Sequence, residues 1–157
     1  MIGQIYTYFT IEMIFMWLNL GVLPFWLVLI IFPQSQICRV FITSIFPIFI
    51  LSFAYGYLLY LFFNEGYDFI RNFELYLGLD AVSNLFTDRS FIILFWSHFL
   101  AMNLFCGGWI VRDSQKFGIN KILMSFPILI TYFIGPIGLT VYWFIRIFYA
   151  KRINLYD

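Results

Sequence analysis

Few side chains in this chain have the chemistry of a catalyst, and the candidates lie inside long apolar runs. His98 is the single histidine, and imidazole is the side chain whose charge changes near neutral pH. His98 and Asn19 each lie seven residues into an apolar run, so we expect them at similar depth in a membrane, with Asn103 closer to the midplane. Strongly polar groups at that depth are costly unless they are paired. The fitting chemistry is proton transfer by His98, with Asn19 and Asn103 orienting a substrate oxygen.

Helical spacing assigns these residues to faces. One face of the first apolar run carries three residues spaced by seven: Glu12, Asn19 and Trp26. One face of the third run carries Trp96, Asn103, Gly107 and Ile110. His98 falls on a different face of that run, together with Ala101, Phe105 and Arg112. A helix that contacts two neighbours would present both faces to protein.

Each candidate also has a purely structural explanation, and the sequence leaves both explanations open. A lone membrane histidine packs with a hydrogen bond to a carbonyl oxygen in many proteins, and Asn19 and Asn103 fit a role in joining helices by hydrogen bonds. A Gly-Gly pair at Gly107 fits close helix approach. Arg112 and Asp113 are expected to form an interfacial pair at the helix end, with snorkelling and capping as the alternative.

The composition indicates a protein whose solvent is lipid. Of its 157 residues, 63% are hydrophobic and 11% are charged, whereas a typical soluble domain has roughly 25% charged residues. The net charge of +1, without a basic stripe, argues against a nucleic-acid partner. Cys38 and Cys106 fit neither a zinc-ligand spacing nor a disulfide framework, and no phosphate-binding glycine loop is visible. The sequence therefore predicts no metal and no cofactor.

The hydropathy pattern predicts an all-α integral membrane protein with four transmembrane helices in a single membrane domain, residues 1–157. A hydrocarbon core of roughly 30 Å needs about 20 apolar residues in a helix. Four stretches qualify, at about 12–32, 40–63, 91–111 and 122–148. The segment Gly135-Pro136-Ile137-Gly138 predicts a kink or an opening in the last stretch. The expected location is multi-pass, in a bacterial inner membrane or a plastid-type membrane, with lipid as a partner.

The long connection at 64–90 holds five of the eight acidic residues and a set of apolar ones: Phe73, Leu77, Val82, Leu85 and Phe86. This mixture predicts an interfacial helix between the second and third spans, with a solvated loop as the alternative. With four spans, both termini and this connection share one side of the membrane. That side carries five basic residues against four on the other, which does not decide orientation by the positive-inside rule.

The third span and its exit, WSHFLAMNLFCGGWIVRD at 96–113, resemble the abscisic-acid-deficient-four-like family. Members of that family carry a W-x-H-x-L-x-x-D-L-F core followed closely by an aspartate. The segment GPIGL at 135–139 is similar to the family's G-P-x-G-L element, and Phe126-Pro127 to its proline element. Asn19, Trp26 and Pro33 look like its first-helix pattern, and Leu85-Phe86 like the element before the third helix. The resemblance covers roughly Asn19 to Arg146.

The resemblance implies a small multi-pass membrane protein linked to carotenoids. The plant member is required for making neoxanthin from violaxanthin, an epoxide-opening isomerisation that creates an allene. Isomerase-type catalysis would then involve His98 and Asn103. The residues predicted to contact the substrate are Asn19, Trp26, Trp96, Gly107, Arg112, Asp113, Gly135, Pro136 and Gly138. This chain departs from the family at Asn103, where an amide stands in place of the carboxylate and cannot act as a carboxylate base.

Two functions therefore stand side by side. The first is an enzyme of isomerase type that acts on a xanthophyll or a related polyene. The second is a non-catalytic membrane protein that binds a pigment or supports a complex. The predicted ligand in both is a hydrophobic small molecule such as a carotenoid, and a homo-oligomer or a partner membrane protein stays open.

Overall fold

The computed structural model describes residues 10–151 and 153–154, and within these ranges no residue lies in a strand. Six α-helices form the described part of the chain: α1 (Ile11–Ile31), α2 (Phe46–Asn64), α3 (Leu79–Leu85), α4 (Arg89–Lys116), α5 (Lys121–Phe133) and α6 (Gly135–Ala150). A π-helical turn (Cys38–Ile42) precedes α2, and a 3-10 helix (Phe69–Tyr76) precedes α3. The prediction of an all-α fold is confirmed.

Three helices, α1, α2 and α4, are long and apolar enough to cross a membrane. Each contains an 18-residue apolar segment, with mean hydropathies of 2.3, 1.8 and 1.6, and each overlaps one of the first three predicted spans. Polar side chains cap the starts of α1, α2, α4 and α5, because a side-chain oxygen satisfies a free backbone N–H at each of them. The Asp88 carboxylate accepts from the Ser90 N–H at 2.8 Å before α4, and Asn120 accepts from Ile122 before α5.

The fourth predicted span, 122–148, is not one helix. The chain breaks at Ile134, whose φ of −141° and ψ of 83° lie outside the helical region, and α5 and α6 follow on either side. A Cβ built on Gly138 would lie 2.6 Å from the Thr131 Cα, although seven residues of a straight helix span roughly 10 Å. The two helices therefore fold back on each other as a hairpin, with Gly138 at their closest approach.

Contacts divide the chain into two compact units. The first comprises the chain up to Leu20 together with Ile50–Leu100, and the second comprises Gly21–Phe49 together with Ala101–Asp157. Leu58, Phe62 and Leu85 are fully buried in the first unit; Leu29, Ile110 and Tyr142 are fully buried in the second. The single membrane domain predicted from the sequence is not tested by this division and stays a prediction.

The connection between α2 and α4 contains the 3-10 helix and α3 rather than one helix. Its apolar side chains are mostly outside the core, with Ile70, Phe73 and Tyr76 exposed by 70% or more. Arg71 pairs with Asp88 at 3.4 Å within this connection. The location of this segment at a membrane interface stays a prediction.

Candidate functional site

In the first unit, two of the predicted contact residues meet. The Trp96 indole N–H donates to the Asn19 side-chain oxygen at 3.1 Å, and the Asn19 amide donates to the Phe15 carbonyl at 2.7 Å. The Phe15 and Phe99 rings pack on Trp96 at centroid distances of 6.0 and 5.2 Å. Both polar groups of Asn19 are therefore engaged: its oxygen joins α1 to α4, and its amide bonds within α1. The bond between the helices matches the structural explanation for this residue.

His98 does not join that pair. Its side chain is exposed, and it makes no hydrogen bond or ion pair with any residue that the structure describes. Phe105 and Arg112, which share its helix face, are exposed as well. The structural alternative for His98, a hydrogen bond to a buried carbonyl, is also not found within the described ranges.

In the second unit, Asn103 lies buried at the hairpin turn between α5 and α6. Its amide donates to the Tyr132 carbonyl at 3.5 Å, and Gly135 packs directly against the amide oxygen. The Tyr132 carbonyl belongs to the last turn of α5, where backbone acceptors have no helical partner. Asn103 therefore supplies an N–H donor that an ionised aspartate does not have.

Three further predicted contact residues, Trp26, Gly107 and Pro136, also lie at this hairpin or beside it. Trp26 packs edge-on against Tyr132 at 5.2 Å, and its ring covers Gly107, where a Cβ would lie 2.8 Å from the ring. Pro136 occupies the first turn of α6, a position where its missing N–H costs no helical hydrogen bond. These residues therefore lie together in the structure, and their contacts are those of helix packing. Their predicted contact with a substrate stays a prediction.

Asp113 has a different partner from the one expected. Its carboxylate accepts from Arg146 Nε at 2.7 Å and from the Tyr142 hydroxyl at 2.6 Å, so the expected Arg112–Asp113 pair is wrong. Neighbouring residues on a helix do not face each other, which is why Arg112 points elsewhere. Arg146 also donates to the Asn154 carbonyl at 3.0 Å, and its side chain is 3% exposed. Asp113, Tyr142 and Arg146 form a buried charged cluster.

Arg112 lies instead at a cleft of about 380 Å³, called here the Arg112 cleft. Its lining comes from the segment between the π-helical turn and α2 and from the second half of α4: Ile42, Thr43, Ser44, Ile45, Pro47, Ile48, Leu104, Phe105, Gly108, Trp109 and Arg112. The lining is mostly apolar. Arg112 is its charged group, and no described residue forms an ion pair with it.

Gly108 gives the cleft its depth on the α4 side. It is buried, and a Cβ there would meet only the Ile42 carbonyl at 3.9 Å and the Thr43 Cα at 4.0 Å. A methyl group therefore fits, whereas a large side chain would occupy the cleft. Thr43 and Ser44 contribute hydroxyls, which donate to the Arg39 and Phe41 carbonyls.

The cysteines take no part in this cleft. Cys38 is buried and Cys106 is half-buried, and both are free. Burial raises the pKa of the Cys38 thiol to about 11, which keeps it protonated near neutral pH. Within the described residues, no group of three or more His, Cys, Asp or Glu side chains is placed to hold a metal ion.

Sequence reasoning missed the residues before α2, because hydropathy assigned them to the second span. The Ser44 hydroxyl accepts from the Phe46 N–H at 3.1 Å, and Pro47 lies in the first turn. A serine followed three residues later by proline is a helix-start signal. It would have moved the predicted start of this helix from near Val40 to Phe46. Arg146 had a signal too, as a lone charge in an apolar run.

A comparison with family models matches residues 13–142 to the family described as ABA DEFICIENT 4-like. This match confirms the resemblance carried by the 96–113 segment and by GPIGL at 135–139. No curated protein and no solved structure matches the chain.

Proposed function

The chain belongs to the ABA DEFICIENT 4-like family, and from this premise we propose that it is a multi-pass membrane protein that binds a xanthophyll or a related polyene. The family is linked to carotenoid and neoxanthin-related function. The observation that carries the proposal is the Arg112 cleft. Its volume of about 380 Å³ lies in the range of roughly 300–1,000 Å³ for small-molecule sites, and its lining is mostly apolar with one charged donor.

The proposed ligand pose follows from the cleft's lining. An oxygenated end ring would enter the cleft, where the Arg112 guanidinium donates hydrogen bonds to its oxygen. Trp109 and the exposed Phe105 ring lie beside the cleft and offer apolar surface to the polyene chain. Xanthophylls combine these two features, an apolar polyene and a polar end.

The proposed membrane location rests on the outer surface of the long helices. Trp17 and Leu27 on α1 are 57% and 55% exposed, and Phe53 and Phe63 on α2 are 74% and 73% exposed. Apolar surface of this extent marks a contact with lipid or with another protein. We assign the exposed apolar side chains of the 3-10 helix, including Phe73, to the membrane interface on the same ground.

An isomerase-type reaction is the second candidate, and His98 favours it. Opening an epoxide to an allenic alcohol removes one proton from carbon and delivers one proton to the epoxide oxygen, so atoms and electrons balance without an oxidant or reductant. His98 is exposed on α4, where a polyene in the lipid phase would reach it, and imidazole transfers protons near neutral pH. Asn103 is buried at the hairpin turn with its amide bound to the Tyr132 carbonyl, so the proton transfer in this proposal rests on His98.

The binding proposal is tested by co-purification. The protein is expressed in a xanthophyll-accumulating bacterium and purified in mild detergent, and the visible absorbance of the pigment is compared with the protein absorbance. We expect pigment to stay bound to the native protein and to be reduced in an Arg112→Gln variant. Arg39→Gln is the matched control, because Arg39 is also exposed and does not line the cleft. Pigment-free native protein, or equal loss in both variants, contradicts the proposal.

The isomerase proposal is tested on the same cells by chromatography of the total pigment. Conversion by the native protein and its loss in His98→Ala supports catalysis. An unchanged pigment profile with the native protein refutes catalysis on those xanthophylls and leaves the co-purification result unaffected.

A further inference from the structure

The hairpin formed by α5 and α6 returns to the side from which it starts. Near the start of α5, the Ser114 hydroxyl contacts the Met124 sulfur, and near its end Asn103 binds the Tyr132 carbonyl. Helix α5 therefore runs antiparallel to the second half of α4. Along α6, Gly135 lies against Asn103 and Arg146 binds Asp113, so α6 runs parallel to α4.

The lengths of these helices agree with a turn in the middle of a membrane. Helices of 13 and 16 residues extend roughly 20 Å and 24 Å, less than a hydrocarbon core of roughly 30 Å. The turn lies beside Asn103, which is close to the midpoint of the 28-residue helix α4. Neither helix of the hairpin is long enough to be a span of its own.

The turn between α5 and α6 is suited to hydrocarbon, because its exposed side chains are apolar and its backbone polar groups have partners. Phe133, Ile134 and Ile137 are apolar and at least 51% exposed. Backbone groups freed at a helix break must find partners within the protein at this depth. The Ile134 N–H donates to the Ile130 carbonyl, the Tyr132 carbonyl receives the Asn103 amide, and Pro136 has no N–H.

We propose that the chain crosses the membrane three times, at α1, α2 and α4, and that α5 and α6 form a re-entrant hairpin. The inference rests on the membrane location given under the proposed function. Three crossings require α1 and α4 to run in the same direction. Their contacts agree, because Glu12 pairs with Arg89 and Asn19 pairs with Trp96 farther along both helices.

This topology decides the orientation that four spans left open. It places the C-terminal basic residues on the same side of the membrane as the connection between α1 and α2 and the connection between α4 and α5. The described basic residues on that side are Arg39, Arg112, Lys116, Lys121, Arg146 and Lys151. The other side carries Arg71 and Arg89. By the positive-inside rule, the C-terminal side is cytoplasmic, and the Arg112 cleft opens near that face.

Three variants that each add one cysteine at an exposed position test the proposal: Gln36→Cys, Ser83→Cys and Asn154→Cys. Each is expressed in the bacterial inner membrane and labelled with a membrane-impermeant maleimide, either in intact spheroplasts or in inverted vesicles. The native protein, with buried Cys38 and half-buried Cys106, is the blank. Gln36 and Ser83 lie on opposite sides under either topology, so Asn154 is the discriminating position.

We expect Ser83→Cys to be labelled in intact spheroplasts. Gln36→Cys and Asn154→Cys should not be labelled in spheroplasts, but should be labelled in inverted vesicles. Labelling of Asn154→Cys together with Ser83→Cys overturns the re-entrant hairpin. Labelling of Asn154→Cys with Gln36→Cys in spheroplasts overturns the orientation. Loss of all three variants from the membrane fraction overturns the membrane location, and no outcome depends on bound pigment.

Discussion

Replacing Arg146 by methionine removes a buried cation and keeps most of the side-chain volume. The Asp113 carboxylate, whose side chain is 9% exposed, would keep only the Tyr142 hydroxyl as a partner from this cluster. Removing one member of a buried ion pair costs about 3–5 kcal/mol, because an uncompensated charge stays behind. The contact of Arg146 with the Phe117 ring, at 4.8 Å, is lost as well.

The assay is thermal unfolding in detergent. For a chain of this length, 1 kcal/mol corresponds to about 2–4 °C, so Arg146→Met should lower the Tm by roughly 6–20 °C. Arg89→Met is the matched control, because the Arg89–Glu12 pair is exposed on both side chains and exposed pairs contribute about 0–1 kcal/mol. A second variant, Asp113→Asn with Arg146→Met, removes both charges and should recover part of the lost Tm.

Either of two results would show that the buried ion pair does not stabilise this cluster in the expected way. One is a Tm loss in Arg146→Met no larger than that in Arg89→Met. The other is a double variant less stable than Arg146→Met alone, because the cost would then not come from an uncompensated buried carboxylate.

Two further predictions concern the hairpin and its neighbours, and both are read from the Tm. Gly107→Ala should lower stability by about 1–3 kcal/mol, because its Cβ would overlap the Trp26 ring. Gly21→Ala is the control, because its Cβ meets open space and should not lower stability. Equal Tm changes in the two variants would contradict the packing of Trp26 on Gly107. Asn103→Asp should cost about 1–3 kcal/mol at neutral pH, because the Tyr132 carbonyl loses its donor; an unchanged Tm would show that this bond contributes little.

The first three long helices were predictable because apolar runs of this length form helices in lipid. The observed bounds of α1 and α4 differ from the predicted spans by at most five residues at each end. Helix α2 begins at Phe46 rather than near Val40, since hydropathy does not detect the Ser44 cap.

The hairpin was not predictable from hydropathy, which measures how apolar a run is and not where it reverses. Gly135-Pro136 indicated a break, but a kinked span and a hairpin share that signal. What distinguishes the hairpin from a kinked span is the contact between Thr131 and Gly138, seven residues apart. The hydrogen bond from the Asn103 amide, on another helix, to the Tyr132 carbonyl distinguishes it as well. The Arg112 cleft escaped prediction for the same reason, because its two walls are far apart in the chain.

The central claim, that the Arg112 cleft holds the pigment, is tested most directly by filling the cleft. Gly108→Phe places a ring in the cleft, and Gly56→Phe places the same ring on the exposed side of α2, where a Cβ meets nothing within 4 Å. With both variants folded to a similar Tm, the pigment-to-protein absorbance ratio should fall sharply in Gly108→Phe and stay at the native value in Gly56→Phe. An undiminished ratio in Gly108→Phe would contradict the claim.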